Sequence, residues 1–419
     1  MAPMIPLHEA QRIVASLPLP RLDVERVAIE SSLGRVLAES PQSDLDLPPF
    51  DRVTMDGFAV RAGDAVAGAT LPIVGAVAAG ATAARALEPG EAMRIMTGAP
   101  LPAGADAVVS LEESRIVESR QVGDRVAFSR PAKPGQNLHR RGVDLKRGER
   151  PLSAGERIMP ARVPLLATLG CREVAVTRRP RVAILTSGNE LVEPETLPTG
   201  GQIRDSNRFA LAAQVLSAAG EPRVHPIVRD DRALLAAAVT EALQADLVLL
   251  TGGSSVGDFD YSKEVVASLG GRLWFEQVAI KPGKPVLLFT VKEQVVFCLP
   301  GNPVSAFVTF ELLVRPLLER MAGARCCWPV PDELALRSPL AAPPERALVQ
   351  VARVDAGQAG RPVVEPVRWS GSGDLVAIAR ANALVHLAAG ARAEAGALVR
   401  VVLLRSAWDD LPRASEPVA

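Results

Sequence analysis

The sequence predicts a multidomain protein of the α/β plus β class, built around a doubly wound parallel sheet. The chain has 419 residues, which is too long for one hydrophobic core and is typical of roughly two to four domains. Short apolar strands alternate with helical patterns between residues 181 and 321. On either side of that segment, Gly, Pro and Ala interrupt the apolar runs, which favours separate β domains.

The alternating segment is the predicted α/β domain, because crossover helices of about 10 to 15 residues join the strands of a parallel sheet. At the helix starts, Ser206 and Asn207 are predicted caps, and Asp230 and Asp231 suit the helix dipole. The predicted strands are Val182 to Leu185, Arg223 to Val228, Asp246 to Leu250, Val286 to Phe289 and Val295 to Cys298, and the predicted helices are Asn207 to Ala219, Arg232 to Leu243, Lys263 to Leu269 and Val304 to Met321.

Two further regions are predicted to form β domains. Residues 49–141 contain short runs such as Leu71 to Val77 between glycines and prolines, which favours a small β domain. Residues 329–404 begin with a proline-rich stretch and continue in partly alternating runs such as Leu348 to Val354, which favours a C-terminal β domain. The tail from Trp408 onward is expected to be loose.

The composition disfavours several classes of function. Lys plus Arg and Asp plus Glu number 47 each, so no net charge draws the chain to nucleic acid or to an anionic membrane, and a single Tyr offers little base stacking. No apolar run approaches the roughly 20 residues of a membrane span, and Glu9 lies inside a helical pattern where a signal peptide would be apolar. We therefore expect a soluble, cytoplasmic protein that binds neither nucleic acid nor membrane.

The cysteines and histidines argue against a disulfide framework or a transition metal. Cys171, Cys298, Cys326 and Cys327 form no CxxC pair and are predicted to be reduced thiols, mostly in the core. The four histidines are scattered and form no HExxH motif. Any metal must therefore be held by carboxylates.

The most informative stretch is the loop Leu299-Pro300-Gly301-Asn302-Pro303-Val304-Ser305-Ala306, which follows an apolar strand and precedes a helical pattern. Two prolines around Gly-Asn predict a tight loop where the strand is followed by the helix. In open α/β sheets, ligands bind at this edge, outside the C-terminal ends of the strands. An ordinary strand-turn-helix connection is the alternative interpretation.

A glycine-rich loop, Thr251-Gly252-Gly253-Ser254-Ser255-Val256-Gly257, follows another predicted strand. Its glycines let backbone N–H groups approach a phosphate, and its serine hydroxyls add donors. The loop matches neither GxxxxGK[ST] nor GxGxxG, which disfavours ATPase and dinucleotide-binding functions. A plain glycine-rich turn is the alternative.

Carboxylates recur at the predicted strand ends. Glu190, Asp230 and Asp260 lie at neighbouring ends, and clustered carboxylates suit octahedral Mg²⁺ bridged to a substrate phosphate, although each alone is also compatible with a helix cap. Lys281 and Lys284 flank a Pro-Gly turn, where they either bind a phosphate or form a solvated surface pair.

The small β region places Asp56 and Thr97 beside glycine turns, where they either serve a site or form structural Asx-turns. Between Arg130 and Arg150, basic residues outnumber acidic ones. Such an excess is typical of a solvated face, and it also suits the steering of an anionic ligand.

Taken together, these segments resemble the molybdopterin molybdenumtransferase family, which includes MoeA and the E domain of gephyrin. The match runs in unbroken order from about residue 7 to residue 404, through MDGFAV, RIMTGAP, GQNLHRRGVDL, TSGNEL, GQIRDSN, RDD, TGGSSVGDFDYSKEV, AIKPGKP and LPGNPVSAF. The resemblance implies an elongated homodimer of four-domain subunits, with an extended linker domain and a C-terminal β-barrel. The implied divisions are residues 1–25 and 178–328 for the α/β molybdopterin-binding domain, 26–48 and 142–177 for the linker domain, 49–141 for the small β domain, 329–408 for the barrel and 409–419 for a loose tail.

The resemblance implies an enzyme that inserts molybdenum into molybdopterin. Its substrates are adenylylated molybdopterin and molybdate, the pyrophosphate is hydrolysed with Mg²⁺, and AMP is released as molybdenum passes to the dithiolene. The implied site is shared between two subunits, and transient contacts with the adenylyltransferase and with molybdoenzyme chaperones are also implied.

The resemblance also assigns residues by motif. The implied catalytic residues are Asp56, Thr97, Glu190, Asp230 and Asp260, and the last three are the implied Mg²⁺ ligands. The implied substrate-binding residues are Gly252, Gly253, Ser254, Ser255, Gly257, Lys281, Lys284, Pro300, Asn302, Pro303, Ser305, Arg140, Asp144 and, from the C-terminal domain, Ser372.

Several positions depart from the family pattern at expected cations. The chain has His139 where Arg is usual, Gln277 where Lys is usual and Val351 near an expected Arg. The candidate substitutes are Arg140, Arg141 and Arg353. A cation that contacts an oxyanion is worth about 1.5–3 kcal/mol. These losses therefore motivate a second hypothesis, a divergent non-catalytic molybdopterin-binding or scaffold paralogue.

A third hypothesis is that the related molybdopterin-binding fold acts as an adenylyltransferase. The β domain that carries Asp56 and Thr97 disfavours it, because that domain resembles the insertion family and not the smaller single-domain adenylyltransferases.

Overall fold

A six-stranded, mainly parallel sheet forms the centre of the α/β region. The computed structural model describes residues 3–117, 123–252, 258–325, 327, 332–357 and 361–404, without the side chains of residues 258–260. In spatial order, the strands of this sheet are Glu221–Val224, Arg181–Ser187, Leu247–Gly252, Gln294–Leu299, Pro285–Val291 and Arg272–Gln277. The first four run parallel, and the last two are antiparallel to their neighbours.

Helices cover both faces of this sheet, as the predicted doubly wound fold requires. In the strand Arg181–Ser187, Val182 and Ile184 face one apolar core, whereas Ala183 and Leu185 face the other. A strand buried on both faces has to be a continuous apolar run, which is the pattern seen in the sequence. One face is covered by the helices Leu7–Ser16 and Asn207–Ser217 and by a continuous helical run, which consists of Pro303–Thr309, the π-helical Phe310–Val314 and Arg315–Met321. The other face is covered by the helices Arg232–Ala242 and Asp258–Ser268.

Three details of this region differ from the sequence prediction. The predicted strand Arg223 to Val228 ends at Val224, because a proline two residues later offers no N–H for a ladder. The edge strand Arg272–Gln277 was not predicted. At the helix starts, the Asp231 side chain accepts two backbone N–H groups as a cap, whereas Ser206 makes no capping hydrogen bond.

A second six-stranded sheet and a short ribbon of two strands form the small β region. All residues of the strand Gly57–Val60 are buried, because Phe58 and Val60 face one apolar core and Ala59 faces another. In spatial order the strands are Ala107–Ser110, Gly57–Val60, Ala92–Ile95, Thr70–Val77, Arg125–Phe128 and Ser114–Val117, a 3₁₀ turn lies at Leu111–Glu113, and the ribbon pairs Arg52–Val53 with Leu138–His139.

Between these regions the chain forms a small unit with its own core. The strand Val24–Ala28 pairs antiparallel with Glu173–Thr177 over a core that contains Ile158, Leu166 and Val176. Its other elements are the helix Val163–Thr168 and 3₁₀ turns at Ile29–Ser31 and Pro160–Arg162. The residue limits assigned to this and the other domains stay predictions.

The C-terminal region forms a closed five-stranded barrel, as the family resemblance implies. Around the barrel the strands are Ala347–Ala356, Pro362–Pro366, Asp332–Leu336, Leu398–Leu403 and Ala383–Leu387, and the last pairs with the first. A pair Leu340–Ala341 with Arg392–Ala393 and the helix Leu375–Ala379 accompany it. Leu348, Ala352 and Val354 face the barrel interior, whereas Val349 and Val351 pack into the α/β core. The first strand therefore alternates only partly, because it is buried on both sides.

The barrel is joined to the α/β region by backbone pairing as well as by side-chain packing. The short segment Ile280–Lys281, which follows the edge strand of the α/β sheet, pairs in parallel with the start of the barrel strand, Ala347 and Leu348. A further hydrogen bond of 2.9 Å joins Ala347 N to Ala279 O. This added strand fixes the beginning of the barrel against the Lys281–Lys284 turn.

The described cysteines are free thiols, as predicted, but they do not all lie in the core. Cys298 is buried, and burial raises the pKa of its thiol to about 12, so it should resist alkylation in the native protein. Cys171 and Cys327 are partly exposed, which makes the core prediction wrong for them, and Cys326 lies outside the described residues, as does the predicted loose tail. In the described part of the chain, every helix is too short or too polar to cross a membrane.

Candidate functional site

The Pro300–Pro303 loop is held against the end of the neighbouring strand by two side chains. The hydroxyl of Thr251, at the end of strand Leu247–Gly252, donates to Pro300 O at 3.0 Å. The side-chain amide of Asn207 donates to Gly301 O at 2.7 Å and to the Thr251 hydroxyl at 3.2 Å. Asn207, which was predicted to be a helix cap, therefore fastens the loop to the sheet.

These hydrogen bonds lead to a prediction about the stability of Thr251 variants. Thr251→Val has almost the same volume but leaves Pro300 O and one Asn207 N–H without a partner, so we expect it to lower the free energy of unfolding by about 1–3 kcal/mol. Thr251→Ser keeps the hydroxyl and is the matched control, with a loss of about 1 kcal/mol for the missing methyl group. Chemical unfolding curves measure both. Equal losses in the two variants would show that the hydroxyl bonds do not hold the loop.

Two cavities lie on either side of this loop and share Asn302. The first, which we call the strand-end cavity, has a volume of about 520 Å³. Its walls include the predicted residues Glu190, Gly252, Asn302 and Pro303. Its walls also include residues that were not predicted as site residues, among them Thr186, Arg204, Asp205, Asn207 and Thr251.

The second, which we call the cationic cavity, has a volume of about 460 Å³. It brings together six predicted residues, namely Lys281, Lys284, Pro300, Asn302, Ser305 and Ser372. Ser372 reaches it from the C-terminal region, where its carbonyl oxygen accepts from Val304 N at 2.9 Å. The cavity also contains Arg346, Trp369 and Ser370, which were not predicted. None of the described residues in its walls is a carboxylate, so it is a site suited to an anion.

The loops that carry Glu190 and Asp230 are joined to each other. Asn189 N donates to the Asp230 carboxylate at 3.0 Å, and Asp230 N donates to the Asn189 side-chain oxygen at 3.3 Å. The Glu190 carboxylate lies over Gly188, where an added Cβ would stand 2.7 Å from Oε2. A side chain at position 188 would have to displace this carboxylate, so Gly188 leaves Glu190 free to lie at the cavity wall.

These carboxylates fit the predicted Mg²⁺ by their chemistry. Mg²⁺ in nucleotide enzymes is held by one or two carboxylates together with substrate phosphates, and Glu190 and Asp230 offer such oxygens on adjoining loops. Within the described residues, no three His, Cys, Asp or Glu side chains come together as a metal site. The third predicted ligand, Asp260, lies in the helix Asp258–Ser268 with its side chain outside the description.

Asp56 and Thr97 meet in the small β region. Thr97 N and Thr97 Oγ1 both donate to Asp56 Oδ1 at 2.7 Å, and these bonds hold the pKa of Asp56 below its ordinary value. Gly57 is required beside them, because an added Cβ would stand 2.0 Å from the backbone oxygen of Val109 on the neighbouring strand. Asp56 and Thr97 thus form one anionic, exposed unit, and neither lines the two cavities.

The predicted residues Arg140 and Asp144 also lie away from the two cavities. Arg140 pairs with Asp51 at 2.5 Å, and Asp144 contacts the His139 ring at 3.1 Å. Arg140 is therefore bound to a carboxylate and cannot replace a missing cation in either cavity of the same chain. Whether Arg140 compensates in the site of a partner subunit stays a prediction.

The expected substitute for the family arginine near position 351 is wrong. Arg353 donates to Asp355 at 2.8 Å and lines neither cavity. Val351 is fully buried in the apolar core, so this position adds no charge to the site. The cation that does reach the cationic cavity from this region is Arg346.

Part of the predicted phosphate loop lies outside the described residues, namely Gly253, Ser254, Ser255 and Gly257. No local pattern in the sequence pointed to Arg346 or Trp369, because each reaches the cavity through the docking of the barrel on the α/β region. A signal did exist for Asp205 and Asn207, which stand in the quoted GQIRDSN segment. Asp205 is buried, and it accepts from the Thr186 hydroxyl at 2.6 Å and pairs with Arg208 at 2.8 Å.

Three family models match the chain in order and cover most of its length. Residues 5–170 match "MoeA N-terminal region (domain I and II)", residues 183–320 match "Probable molybdopterin binding domain", and residues 333–404 match "MoeA C-terminal region (domain IV)".

Curated relatives and solved structures agree with these models. The chain is 34% identical over 430 residues to a molybdopterin molybdenumtransferase of Bacillus subtilis (98% of each chain) and 34% identical to one of Staphylococcus aureus strain COL (96% of each chain). A relative of the same name from a Nostoc species is 36% identical over 78% of this chain and 76% of its own. A crystal structure of the molybdopterin biosynthesis moeA protein of Pyrococcus horikoshii superimposes with a TM-score of 0.82 at 29% identity, covering 96% of this chain and 100% of that one. A second structure of such a protein gives a TM-score of 0.78 at 32% identity, covering 96% and 99%.

Proposed function

The chain belongs to the MoeA family of molybdopterin molybdenumtransferases, and we propose that it inserts molybdenum into molybdopterin by Mg²⁺-dependent hydrolysis of adenylylated molybdopterin in the presence of molybdate. The products of this reaction are the molybdenum cofactor and AMP. The enzyme class follows from curated relatives of that name, which align with almost the whole chain. The dependence on Mg²⁺ and the course of the reaction are what we propose.

The observation that carries the proposal is the pair of adjoining cavities that share Asn302. Among the described residues, the walls of the cationic cavity include the cations Lys281, Lys284 and Arg346 and no carboxylate. Those of the strand-end cavity include Arg204 and the carboxylates of Glu190 and of Asp205, the latter paired with Arg208. A cationic cavity beside one that carries carboxylate oxygens suits a reaction that brings an oxyanion together with a metal-bound phosphate substrate.

The described side chains divide the work between these cavities. Lys281 and Lys284 bind the oxyanion by charge, and the Ser305 and Ser372 hydroxyls add donors. Glu190 and Asp230 would hold Mg²⁺, which when bound neutralises charge on the phosphates and lowers the cost of breaking the pyrophosphate bond. The Pro300–Pro303 loop, fastened by Asn207 and Thr251, keeps the two substrates in register.

We propose that the Asp56–Thr97 unit acts in the site of the partner subunit. It lines neither cavity of its own chain, so we propose a homodimer in which the small β domain of one subunit completes the site of the other. The cytoplasm as the compartment, and transient contacts with an adenylyltransferase and with molybdoenzyme chaperones, belong to the same proposal.

The experiment that tests the proposal measures AMP release by the purified protein. The protein is incubated with adenylylated molybdopterin, Mg²⁺ and low molybdate, and parallel reactions omit molybdate or replace Mg²⁺ by a chelator. We expect AMP release over many turnovers that depends on both ions. Stoichiometric binding without release would instead support the non-catalytic paralogue, which the full-length relatives do not favour.

A further inference from the structure

We infer that a further cavity binds a phosphate monoester with an apolar body. It lies where the α/β region meets the small unit that contains the strand pair Val24–Ala28 and Glu173–Thr177. This cavity, which we call the junction cavity, has a volume of about 510 Å³, a size at which cavities commonly hold small organic ligands. It shares no wall residue with the strand-end cavity or the cationic cavity, so the inference does not rest on the proposed reaction.

Three arginines from different segments line the junction cavity. Arg21 lies between the first helix and the strand Val24–Ala28, Arg320 lies in the helix Arg315–Met321, and Arg325 follows that helix. None of the described residues in the walls is a carboxylate, and within the described part of the chain none of these three guanidinium groups forms an ion pair. Three like charges around one cavity repel each other, and an anion relieves that repulsion.

The acidic residues near the junction cavity leave this charge uncompensated. Glu39, which follows a wall residue in the sequence, is exposed and lies outside the walls. The four other acidic residues that adjoin wall residues in the sequence are paired with arginines outside the cavity, namely Asp23 with Arg178, Glu25 with Arg35, Glu156 with Arg162 and Glu319 with Arg157.

Two of the three arginines are held in position by the fold. Arg320 donates to Val14 O at 3.0 Å and to Leu17 O at 2.5 Å, so its charge is fixed at the end of the first helix. Arg325 N donates to Gly155 O at 3.0 Å. The side chain of Arg325 lies over Gly155, where an added Cβ would stand 2.5 Å from Arg325 Cγ. Gly155, whose φ is +86°, therefore leaves the space that this arginine occupies at the cavity wall.

The charge and the remaining walls indicate the class of ligand. A phosphate monoester has a charge of about −1.5 to −2 at neutral pH, whereas a carboxylate has −1, so three arginines suit the phosphate better. Guanidinium groups also match phosphate oxygens with two parallel hydrogen bonds. The walls include the apolar side chains of Leu22, Leu37 and Met321, which would contact an apolar group attached to the phosphate.

The test is calorimetric titration of the full-length protein with phenyl phosphate at low ionic strength. The protein carries Lys281→Ala and Lys284→Ala, which weakens binding in the cationic cavity. In this background, Arg21→Ala and Arg325→Ala are each expected to raise the Kd for phenyl phosphate by about tenfold to a hundredfold, the loss of one charge-assisted contact. Arg26→Ala is the matched control, because Arg26 is exposed in the strand Val24–Ala28 and does not line the cavity. Thermal unfolding verifies that each variant is folded.

The inference would be overturned by a Kd for phenyl phosphate that is unchanged in both Arg21→Ala and Arg325→Ala, or by an equal loss in Arg26→Ala. Titrations with benzoate and with inorganic phosphate test the class of ligand, and both are expected to bind more weakly than phenyl phosphate. Benzoate binding as tightly would refute the phosphate assignment, and inorganic phosphate binding as tightly would refute the apolar contact. AMP release is measured separately, so the loss of either result leaves the other standing.

Discussion

Asp56→Asn is expected to reduce molybdate-dependent AMP release by on the order of 10²-fold or more while leaving the fold unchanged. The Asn side-chain oxygen can still accept both hydrogen bonds that Thr97 donates at 2.7 Å, so the local geometry is kept and only the negative charge is lost. The measurement is the steady-state rate of AMP release, with unfolding curves to verify folding. Asp124→Asn is the matched control, because Asp124 is an exposed aspartate of the same region that lies outside the proposed site.

The low pKa of Asp56 indicates which part of catalysis it serves. A general base works best with a pKa near the operating pH, whereas the bonds from Thr97 hold the pKa of Asp56 below its ordinary value. Asp56 therefore stays ionised at neutral pH, and we expect it to serve the proposed site as a fixed negative charge that orients a cation or a donor. A rate in Asp56→Asn close to that of the wild type would refute this role.

The substitution Thr97→Val tests the role of the Asp56–Thr97 unit independently. It removes one of the two donors that lower the pKa of Asp56, so that pKa should rise towards its ordinary value. Because the carboxylate is needed in its ionised form, activity falls as the pH drops through this pKa. The acid limb of the pH–rate profile should therefore move to higher pH in the variant.

The sequence was sufficient for the parts of the site that depend on one segment. The Pro300–Pro303 loop is shaped by its own prolines and follows a continuous apolar strand, so its place at the sheet edge was predictable from local pattern. Lys281 and Lys284 flank one turn and reach the same cavity for the same reason. Local pattern also marked the Asp56–Gly57 turn.

The sequence was not sufficient where contacts join distant segments. Arg346 reaches the lysine turn because Ile280 pairs with Ala347. This parallel pairing joins distant segments, so the pattern of apolar residues within either segment does not predict it. Arg353 was the wrong substitute because Asp355, two residues away, binds its guanidinium. Periodicity indicates which residues are buried, but it does not indicate which charged side chains find partners.

The second large effect is expected from hybrid dimers, because the proposed site takes residues from two subunits. One subunit carries Asp56→Asn, and the other carries Lys281→Ala together with Lys284→Ala. Each variant homodimer should be nearly inactive, since both of its sites are damaged. The purified heterodimer has one site with both lesions and one intact site, so it should recover about half of the wild-type rate per dimer.

The reverse arrangement places all three substitutions in one subunit and pairs it with a wild-type partner. If the site is shared, both of its sites are damaged and this heterodimer should be nearly inactive. If Asp56 instead serves the cavities of its own chain, the wild-type subunit keeps a complete site, and the activities of the two heterodimers are exchanged. Light scattering on the same samples establishes the dimer, and an active monomer would contradict the shared site. The contrast does not depend on how much each substitution costs, because the two heterodimers contain the same substitutions and differ only in how these are distributed between subunits.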